Sequence, residues 1–384
     1  MEGRASSPVL FFVRYDENEM TSVRVEVQPR PYEARIEAGL LSKAGPVLRE
    51  LLPERSRLLI VTVPAVRRKW AKKLTQSLAA SGFETKLIEM PEGERFKRLA
   101  TVEELAEKLV KMGADRNAVI LAFGGGVAGD VAGFLASLFM RGVDFVQIPT
   151  TVLAQVDASI GGKTGVNLKA GKNLIGTFHQ PRVVLIDPQV LSTLPEREYR
   201  AGLYEALKCG VIGNPELFAA FEKQRDKIDA RDPATVEYLI TESVRLKAHV
   251  VSVDEKENGL RRILNFGHTV GHALEAETNY KELLHGEAVA WGMVAASRIA
   301  AMVGTLYGKS TDRITNATLG MGRLPVLDVR GQKILNRLQS DKKTKNGKVH
   351  FVLPTEIGKV DIVNNVPGEV VLAAVDEIRR LSRA

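Results

Sequence analysis

Apolar and polar positions alternate along residues 20 to 188 in a regular rhythm. Short β-branched runs have the length of strands, and the stretches between them have the spacing of amphipathic helices. This order is typical of βαβ units and predicts a parallel sheet covered by helices. The clearest apolar runs are RLLIVT (57 to 62), KLIEM (86 to 90), AVILAF (118 to 123) and DFVQIP (144 to 149).

The pattern changes after residue 187. Strand-like runs nearly vanish, and long segments with a 3.6-residue period take over, at 196 to 212, 235 to 253 and 285 to 303. Near the end, KVHFVLP and GKVDIV predict a hairpin, and an amphipathic helix follows from about residue 367. We therefore predict a leader (1 to 20), an α/β domain (21 to 190) and a mainly helical domain (191 to 384), with a ligand cleft between the two domains.

Composition narrows the class of protein. The 384 residues suffice for two domains, and no apolar run approaches the roughly 20 residues of a membrane-spanning helix. The single cysteine, Cys209, excludes an internal disulfide and favours the cytoplasm.

The chain is basic, with a formal net charge of +8 and a pI near 9.4. Such a charge suits nucleic acid, an anionic membrane surface or small phosphorylated ligands, although an ordinary basic surface is the simpler interpretation. The densest cluster, DKKTKNGK (341 to 348), has no interleaved aromatic residues, which argues against a nucleic-acid face.

A glycine loop lies between a strand and a helix in AVILAFGGGVAGDVAG. The stretch GGGVAG fits G-x-G-x-x-G, in which backbone N–H groups and the positive helix end attract a pyrophosphate; a tight turn is the alternative. The loop falls in about the fourth βα unit, and the next strand ends in Pro149-Thr150-Thr151 rather than in an acid for a ribose hydroxyl. We therefore expect a nucleotide site that differs from the usual dinucleotide fold.

A second polar run covers residues 150 to 176. It sets Asp157, Lys163, Asn167, Lys172 and Asn173 among glycines, a composition that disfavours a regular helix or a core strand. We predict a loop that belongs to a binding site, with a long surface loop as the alternative.

Three of the six histidines, His268, His272 and His285, fall within eighteen positions of the helical half. His268 and His272 share one face if their segment is helical, but Thr269 replaces the glutamate of the metalloprotease motif H-E-x-x-H. A buried carboxylate at Glu205, in the apolar stretch GLYEALK, needs a cation. One carboxylate and two imidazoles form a common catalytic zinc set, whereas ordinary buried histidines are the alternative. Spacing alone does not choose among the histidines.

Taken together, these stretches resemble one family, the 3-dehydroquinate synthases, which are sugar-phosphate cyclases of the shikimate pathway. The resemblance covers most of residues 92 to 295. It implies an α/β NAD-binding domain with a parallel sheet, followed by a mainly helical metal- and substrate-binding domain, in a cytoplasmic homodimer. The matching stretches are GGGVAGDVAGF, MRGVDFVQIPTTVLAQVDASIGGKTGVN, GKNLIGTFHQP, LSTLPEREYRAGLYEALK, LRRILNFGHTVGHALE and LLHGEAVAWGM.

The resemblance also implies site residues. A zinc ion, or cobalt in its place, is expected on Glu205, His268 and His285, with His272 facing the substrate. Expected NAD contacts are Glu94, Lys97, Gly125, Gly126, Asp130, Thr150, Thr151, Lys172, Thr193 and Glu198. Expected substrate contacts are Asp157, Lys163, Asn173, Lys208, Lys247, Glu257, Arg261, Asn265 and His272, with Lys342 or Lys343, and Arg141 is expected to reach the phosphate site of the neighbouring subunit.

One stretch departs from the family pattern. The chain has Thr62-Val63-Pro64-Ala65-Val66 where the family usually has an acid-containing T-D-x-N-V. This difference leaves open how the adenosine half of NAD is held.

The implied reaction converts 3-deoxy-D-arabino-heptulosonate 7-phosphate to 3-dehydroquinate and phosphate. The metal binds the C4 and C5 hydroxyls, hydride leaves C5 for NAD, phosphate is eliminated, the ketone is reduced again, and an aldol closes the ring. Expected roles are Lys163, Asn265, His272 and Arg141 for the phosphate, Lys247 and Arg261 for the carboxylate, and Asp157 and Glu257 for hydroxyls or proton relay.

Three alternatives remain at the level of sequence. A metal-dependent polyol or alcohol dehydrogenase of similar fold would accumulate NADH, and a neutral alcohol would not need the lysines of GGKTGVN and DKK. A sibling cyclase would act on another sugar phosphate. A basic nucleic-acid-binding protein would bind in a salt-dependent manner and ignore chelators.

Overall fold

A seven-stranded sheet forms the first part of the computed structural model, which describes residues 20–340, 349–364 and 366–384. The strand order is β1-β2-β9-β6-β5-β3-β4, and every neighbouring pair is parallel except β1 and β2 at one edge. The strands of this sheet are β1 Thr21–Val25, β2 Tyr32–Ile36, β3 Arg57–Thr62, β4 Glu84–Glu89, β5 Val119–Gly124, β6 Asp144–Pro149 and β9 Val183–Ile186. Two hairpins lie apart from it. One pairs β7 Lys163–Leu168 with β8 Gly171–Phe178, and the other pairs β10 His350–Glu356 with β11 Lys359–Asn364.

Helices cover the sheet and make up most of the second half. Several begin at a side-chain cap followed by proline: Asp232 accepts a hydrogen bond from the backbone of Thr235 before α9, and Asn214 accepts one from Leu217 before α7. The helices are α1 Ala44–Leu51, α2 Pro64–Val66, α3 Lys72–Ala80, α4 Leu99–Lys111, α5 Gly126–Leu138, α6 Glu196–Gly213, α7 Pro215–Lys223, α8 Arg225–Asp229, α9 Pro233–Val253, α10 His268–Glu277, α11 His285–Met302, α12 Ser310–Gly320, α13 Gly331–Ser340 and α14 Gly368–Leu381.

None of the helices in the described ranges is both long enough and apolar enough to cross a bilayer.

The two faces of the sheet bury separate apolar cores. On one face, Ile120 of β5 packs with residues of α4 and α5 such as Leu109 and Val131. On the other face, Leu121 belongs to a core that continues into α6, α9 and α11. All six residues of β5 are buried, as expected for a central parallel strand covered on both faces. One continuous core therefore joins the sheet to the helical region, and the boundary at residue 190 stays a prediction.

The structure confirms most elements predicted from hydrophobic periodicity. The runs RLLIVT and DFVQIP match β3 and β6, and the three long periodic segments match α6, α9 and α11. The late hairpin and the final helix are also present. The predicted leader lies almost wholly outside the described residues.

The segment predicted as a loop of a binding site, residues 150 to 176, contains regular structure in its second part. Residues 163 to 178 form the two-stranded β7–β8 hairpin, which stands apart from the main sheet. Val166 of β7 is buried in the core that includes α5, and Ile175 of β8 packs against the same core. These tertiary contacts and the cross-strand hydrogen bonds order this glycine-rich segment.

Close helix packing explains the glycines of NFGHTVGH. Gly267 precedes α10 with a left-handed φ of 79°, and a Cβ on Gly271 would lie 2.9 Å from the carbonyl oxygen of Ala288. A Cβ on Gly292 of α11 would lie 1.8 Å from the carbonyl oxygen of Gly267. Because α10 and α11 meet through these glycines, His268 is fixed against α11.

We expect Gly292→Ala to destabilise the metal-free protein. The added methyl group forces the backbone beside His268 to move, and overpacking of this kind costs about 1–3 kcal/mol. That loss corresponds to a fall in melting temperature of roughly 2 to 12 °C. Gly320→Ala at the end of α12 is the matched control, because its nearest neighbour is an arginine side-chain atom 3.7 Å away. Equal melting temperatures for the two variants would contradict the packing argument.

Candidate functional site

A cleft of about 1460 Å³ lies where the carboxyl ends of β5 and β6 face the helical region. Ligands bind at such ends in many parallel α/β sheets. Gly125 and Thr150 follow the two strands on one wall, and Lys247, His272 and His285 stand on the other. The cleft therefore brings together most of the polar stretches singled out in the sequence.

The glycine loop packs closely against neighbouring side chains at the start of α5. A Cβ on Gly125 would lie 3.0 Å from Cγ2 of Thr151, and one on Gly129 would lie 2.8 Å from Oε1 of Gln147. Gly125 and Gly126 line the cleft at the positive end of a thirteen-residue helix. This arrangement fits a pyrophosphate, as expected from G-x-G-x-x-G.

Lys97 joins the expected NAD contact Asp130 to the expected substrate contact Asn173. Its buried Nζ lies 2.5 Å from Oδ2 of Asp130 and 2.5 Å from Oδ1 of Asn173. Burial lowers the pKa of Lys97, but the carboxylates of Asp130 and Glu94 outweigh it and raise that pKa above its usual value. Asn167 donates to Oε1 of Glu94 over 2.7 Å. These bonds hold the segment around Lys97 against the β7–β8 hairpin.

Glu205, His268 and His285 converge on one point. The Nε2 atoms of His268 and His285 lie 3.6 Å and 3.5 Å from Oε1 of Glu205, and the candidate ligand atoms all lie within 4.8 Å of one another. Both carboxylate oxygens of Glu205 are buried and accept no well-formed hydrogen bond. A buried carboxylate facing two imidazoles fits a divalent cation in a tetrahedral site with an open position.

The charges around these residues suit metal binding. Burial raises the pKa of Glu205, but the charge of Lys208 and the two imidazoles outweigh it and hold that pKa well below its usual value. Burial, together with the charge of Lys208, lowers the pKa of His268 to about 4, so His268 is neutral at pH 7. Burial opposes protonation of His285, yet contacts with Glu205 and Glu275 raise its pKa to about 10. A metal ion would displace that proton.

His272 lies beside the three candidate ligands and lines the cleft. Its ring centroid is 5.2 Å from that of His268, one turn earlier on α10, and 5.9 Å from that of His285. The prediction that His268 and His272 share a helical face is confirmed.

Lys247 and Lys208 place two buried cations next to Asp157. The Nζ of Lys247 lies 2.6 Å from Oδ1 of Asp157, and Lys208 forms an ion pair with Glu205. Burial raises the pKa of Asp157, but the charges of Lys247 and Lys208 outweigh it and lower that pKa to about 2. Cys209 follows Lys208 on α6, and burial is the main cause that raises the pKa of its thiol to about 12.

A second cluster of polar residues lies on the helical side of the cleft, around Glu257. Lys163 forms an ion pair with Glu257, and Asn265 donates to Oε1 of Glu257 over 2.7 Å. The buried Arg261 donates to the carbonyl of Gly161 over 3.2 Å, and a Cβ on Gly161 would lie 2.4 Å from Nη2 of Arg261. Glycine is therefore required next to this arginine.

The remaining predicted residues fall into three groups. Thr151, Lys172, Thr193 and Glu198 line the cleft. Arg141 is exposed on a 3-10 turn at the end of α5 and does not belong to the described cleft lining. Lys342 and Lys343 lie outside the described residues.

Glu275 was not among the residues predicted from the sequence. It is buried on α10, and its Oε2 lies 3.3 Å from Nδ1 of His285. The spacing of His268, His272 and Glu275, four and then three residues, places all three on one helical face. That spacing was the available signal.

At the far end of the cleft, the stretch that departs from the family pattern lies beside two residues that were not predicted, Trp70 and Glu92. Val63 and Ala65 line the cleft, and the backbone N–H of Ala65 donates to Oε1 of Glu92 over 2.6 Å. The indole of Trp70 donates to Oγ1 of Thr193 over 2.9 Å. A carboxylate from the segment after β4 thus lies beside the position where the usual acid after β3 is absent.

Comparison with known proteins identifies similar sequences over nearly the whole chain. Models of the 3-dehydroquinate synthase N-terminal and C-terminal parts match residues 87–201 and 202–344. A 3-dehydroquinate synthase of Koribacter versatilis is 54% identical, over 94% of this chain and 99% of the relative. One from Solibacter usitatus is 50% identical, over 93% and 99%.

Solved structures show the same architecture. The 2-epi-5-epi-valiolone synthase of Streptomyces hygroscopicus, with NAD⁺ and Zn²⁺ bound, matches with a TM-score of 0.84 and 32% identity over 92% of this chain and 98% of that one. A 2-deoxy-scyllo-inosose synthase in complex with carbaglucose-6-phosphate, NAD⁺ and Co²⁺ gives 0.82 and 26%, over 94% and 99%. An iron-containing alcohol dehydrogenase, 14% identical with a TM-score of 0.64 over 94% and 100%, shares the fold alone.

Proposed function

The chain belongs to the 3-dehydroquinate synthase family, and we propose on this premise that it converts 3-deoxy-D-arabino-heptulosonate 7-phosphate to 3-dehydroquinate and phosphate. The observation that carries the proposal is the group formed by the buried Glu205 and His268 and the half-buried His285, beside a cleft rich in cations. Two full-length relatives with the same activity are at least 50% identical to this chain.

The cofactors of the reaction are NAD and a divalent metal, for which we propose zinc on Glu205, His268 and His285. The pair supplies Lewis-acid activation of a substrate hydroxyl and a hydride acceptor. Support for the zinc site comes from the donor set and from the two oxygens of Glu205 without a well-formed hydrogen bond. Support for the NAD site comes from the position of Gly125 and Gly126 in the cleft lining at the start of α5, and from the polar contacts of Lys97.

The residues of this chain would bind and orient an anionic substrate. We assign the phosphate to Lys163, Asn265 and His272, because cations and N–H donors suit its oxygens. We assign the carboxylate to Lys247 and Arg261. Asp157, with a pKa near 2, stays ionised at pH 7 and can accept a hydrogen bond from a substrate hydroxyl. Glu257 joins it as an acceptor or proton relay, and Asn173 and Lys208 complete the proposed substrate set.

The test is release of inorganic phosphate from the heptulosonate phosphate. We expect release to require catalytic NAD and to stop when a chelator removes the metal, while NADH stays far below the product concentration. Accumulation of NADH in step with product would favour a dehydrogenase instead, and phosphate release that persists without metal would refute the proposed centre.

A sibling cyclase activity is the second candidate, favoured by the structural match to the valiolone synthase. A panel of sugar phosphates separates the two. If Lys247 and Arg261 bind a carboxylate, sugar phosphates without that group should react poorly. A better rate on a carboxylate-free sugar phosphate would favour the sibling activity.

We also propose a homodimer in which Arg141 reaches the neighbouring phosphate site. Support comes from the exposed apolar side chains around Arg141, namely Leu138 and Met140, and from Phe178 of the β7–β8 hairpin. The cytoplasm stays the predicted location.

Mixed dimers test this arrangement. We expect Arg141→Ala to lower kcat/KM by roughly 10- to 100-fold, the effect of one charged hydrogen bond. Lys163→Ala should also be poorly active on its own. If Arg141 acts in the opposite subunit, random dimers of the two variants regain roughly a quarter of wild-type activity, because half are mixed and each mixed dimer has one intact site. No recovery in verified mixed dimers would refute the arrangement.

The adenosine end of NAD is assigned to the surface around Val63, Ala65 and Glu92. The carboxylate of Glu92, held by the N–H of Ala65, is the acceptor that we propose for a ribose hydroxyl. Support comes from its position in the cleft lining, next to the strand end that lacks an acid.

A further inference from the structure

Three charged or titratable side chains form a line that leads away from the proposed metal centre. His285 faces Glu205 through Nε2 and faces Glu275 through Nδ1. The other oxygen of Glu275 lies 2.8 Å from Nζ of Lys172 on the β7–β8 hairpin. Lys172 in turn lies over the ring of Tyr280, 4.4 Å from its centroid. Lys172 and His285 both line the cleft.

We infer that Glu275 is a positioning residue that fixes His285 as a metal ligand and connects it to Lys172 in the cofactor part of the cleft. The inference rests on the proposed metal centre. When a carboxylate accepts a hydrogen bond from Nδ1–H, the proton stays on Nδ1 and the lone pair of Nε2 is free to bind a metal. The same hydrogen bond makes the imidazole a stronger ligand.

The two histidines of the centre are oriented by different partners. Nδ1 of His268 lies 3.1 Å from the carbonyl oxygen of Phe266, so a neutral backbone group fixes that ring. His285 instead has a carboxylate that is only 2% exposed. Burying this charge is costly unless it is paired, and His285 and Lys172 supply the pairing. A purely structural ion pair would not need to contact a ring that faces Glu205.

Glu275 could alternatively be a direct ligand, because His272, Glu275 and His285 also bring their ligand atoms within 4.8 Å of one another. That site would use Nδ1 of His285 and leave Glu205 without a metal. Each carboxylate is paired with a lysine, Glu205 with Lys208 and Glu275 with Lys172. Oε1 of Glu205 faces Nε2 of both His268 and His285, whereas Glu275 contacts His285 through Nδ1. The geometry therefore favours the metal on the Glu205 side.

The experiment measures zinc affinity of metal-free full-length protein by competition with a chelating dye. Glu275→Gln is expected to weaken zinc binding about 10- to 100-fold, the usual effect of losing a group that orients a ligand. The visible spectrum of the Co²⁺-loaded variant should keep the four-coordinate band shape of the wild type. Lys172→Met should weaken zinc binding less than Glu275→Gln does, and it should raise KM for NAD.

Glu277→Gln is the matched control. Glu277 lies on the same helix and pairs with Lys333 and Arg337, so its loss removes ion pairs of α10 without touching His285. Its zinc affinity should equal that of the wild type. Melting temperatures of the metal-free variants check that each one folds.

Two results would overturn the inference. Unchanged zinc affinity in Glu275→Gln would mean that the carboxylate does not support the ligand. A changed Co²⁺ coordination in Glu275→Gln, with tight binding retained in Glu205→Gln, would mean that Glu275 is itself a ligand. His268→Ala measured in parallel separates these from failure of the proposed function: normal zinc affinity there would refute the centre as a whole.

Discussion

His268→Ala should bind zinc poorly and lose nearly all phosphate-releasing activity. His268 is neutral at pH 7, with a pKa near 4, and its Nε2 faces Glu205, so the variant loses one of three proposed ligand atoms without losing a charge. A metal that acts as a Lewis acid stabilises the transition state by several kcal/mol. Because each 1.36 kcal/mol changes the rate about tenfold, kcat should fall by roughly 10³-fold or more. Metal content after dialysis and kcat at saturating NAD are the measurements.

The control for His268→Ala is His249→Ala. His249 is half-buried on α9 and lies outside the described cleft lining, so its replacement removes an imidazole without touching the proposed centre. It should retain stoichiometric zinc and most of the activity. Full zinc content together with wild-type kcat in His268→Ala would show that the centre lies elsewhere.

The second large effect is expected for Lys208→Met, which should lower the stability of the metal-free protein and raise its affinity for zinc. Lys208 is buried, forms an ion pair with Glu205 and lowers the pKa of Asp157. Removing one partner of a buried ion pair costs about 3–5 kcal/mol, because the other charge stays buried. At roughly 2–4 °C per kcal/mol, the metal-free protein should melt about 6 to 20 °C lower.

Zinc affinity of Lys208→Met should rise by at least about tenfold, because a cation that repels the metal is gone and Glu205 lacks its other partner. Bound zinc should therefore restore much of the lost melting temperature. Activity should still fall, since Lys208 belongs to the proposed substrate set. Lys223→Met, at an exposed lysine of α7, is the control and should change neither quantity. Weaker zinc binding in Lys208→Met would contradict the repulsion argument.

Hydrophobic periodicity predicted the central strands and the long helices of this fold. Central strands such as β5 are buried on both faces and therefore appear as uninterrupted apolar runs. The β7–β8 hairpin could not be found in this way, because strands with one small buried patch and many glycines have no clear period. Its order comes from tertiary contacts with α5 and from polar bonds to the segment around Lys97.

Some residues of the candidate site could likewise be predicted from the sequence, and others could not. Histidines and a carboxylate in apolar segments are rare enough to attract notice in a sequence, which is why Glu205, His268, His272 and His285 could be selected as candidates. The choice of His268 and His285 as metal ligands came from the family resemblance. Glu275 ends an ordinary-looking HALE stretch, and only the fold shows that it meets both His285 and Lys172. The hydrogen bond between Ala65 and Glu92 joins the segments that follow two neighbouring strands, β3 and β4, so no local motif could predict it.

The lone thiol of this chain has a practical consequence. Because Cys209 is buried and its pKa is raised to about 12, it should hardly react with maleimide reagents at neutral pH. A cysteine engineered at the tip of the β7–β8 hairpin would then accept a fluorophore selectively without removal of the native residue. Single-molecule fluorescence could follow that hairpin in an otherwise unaltered enzyme while ligands come and go.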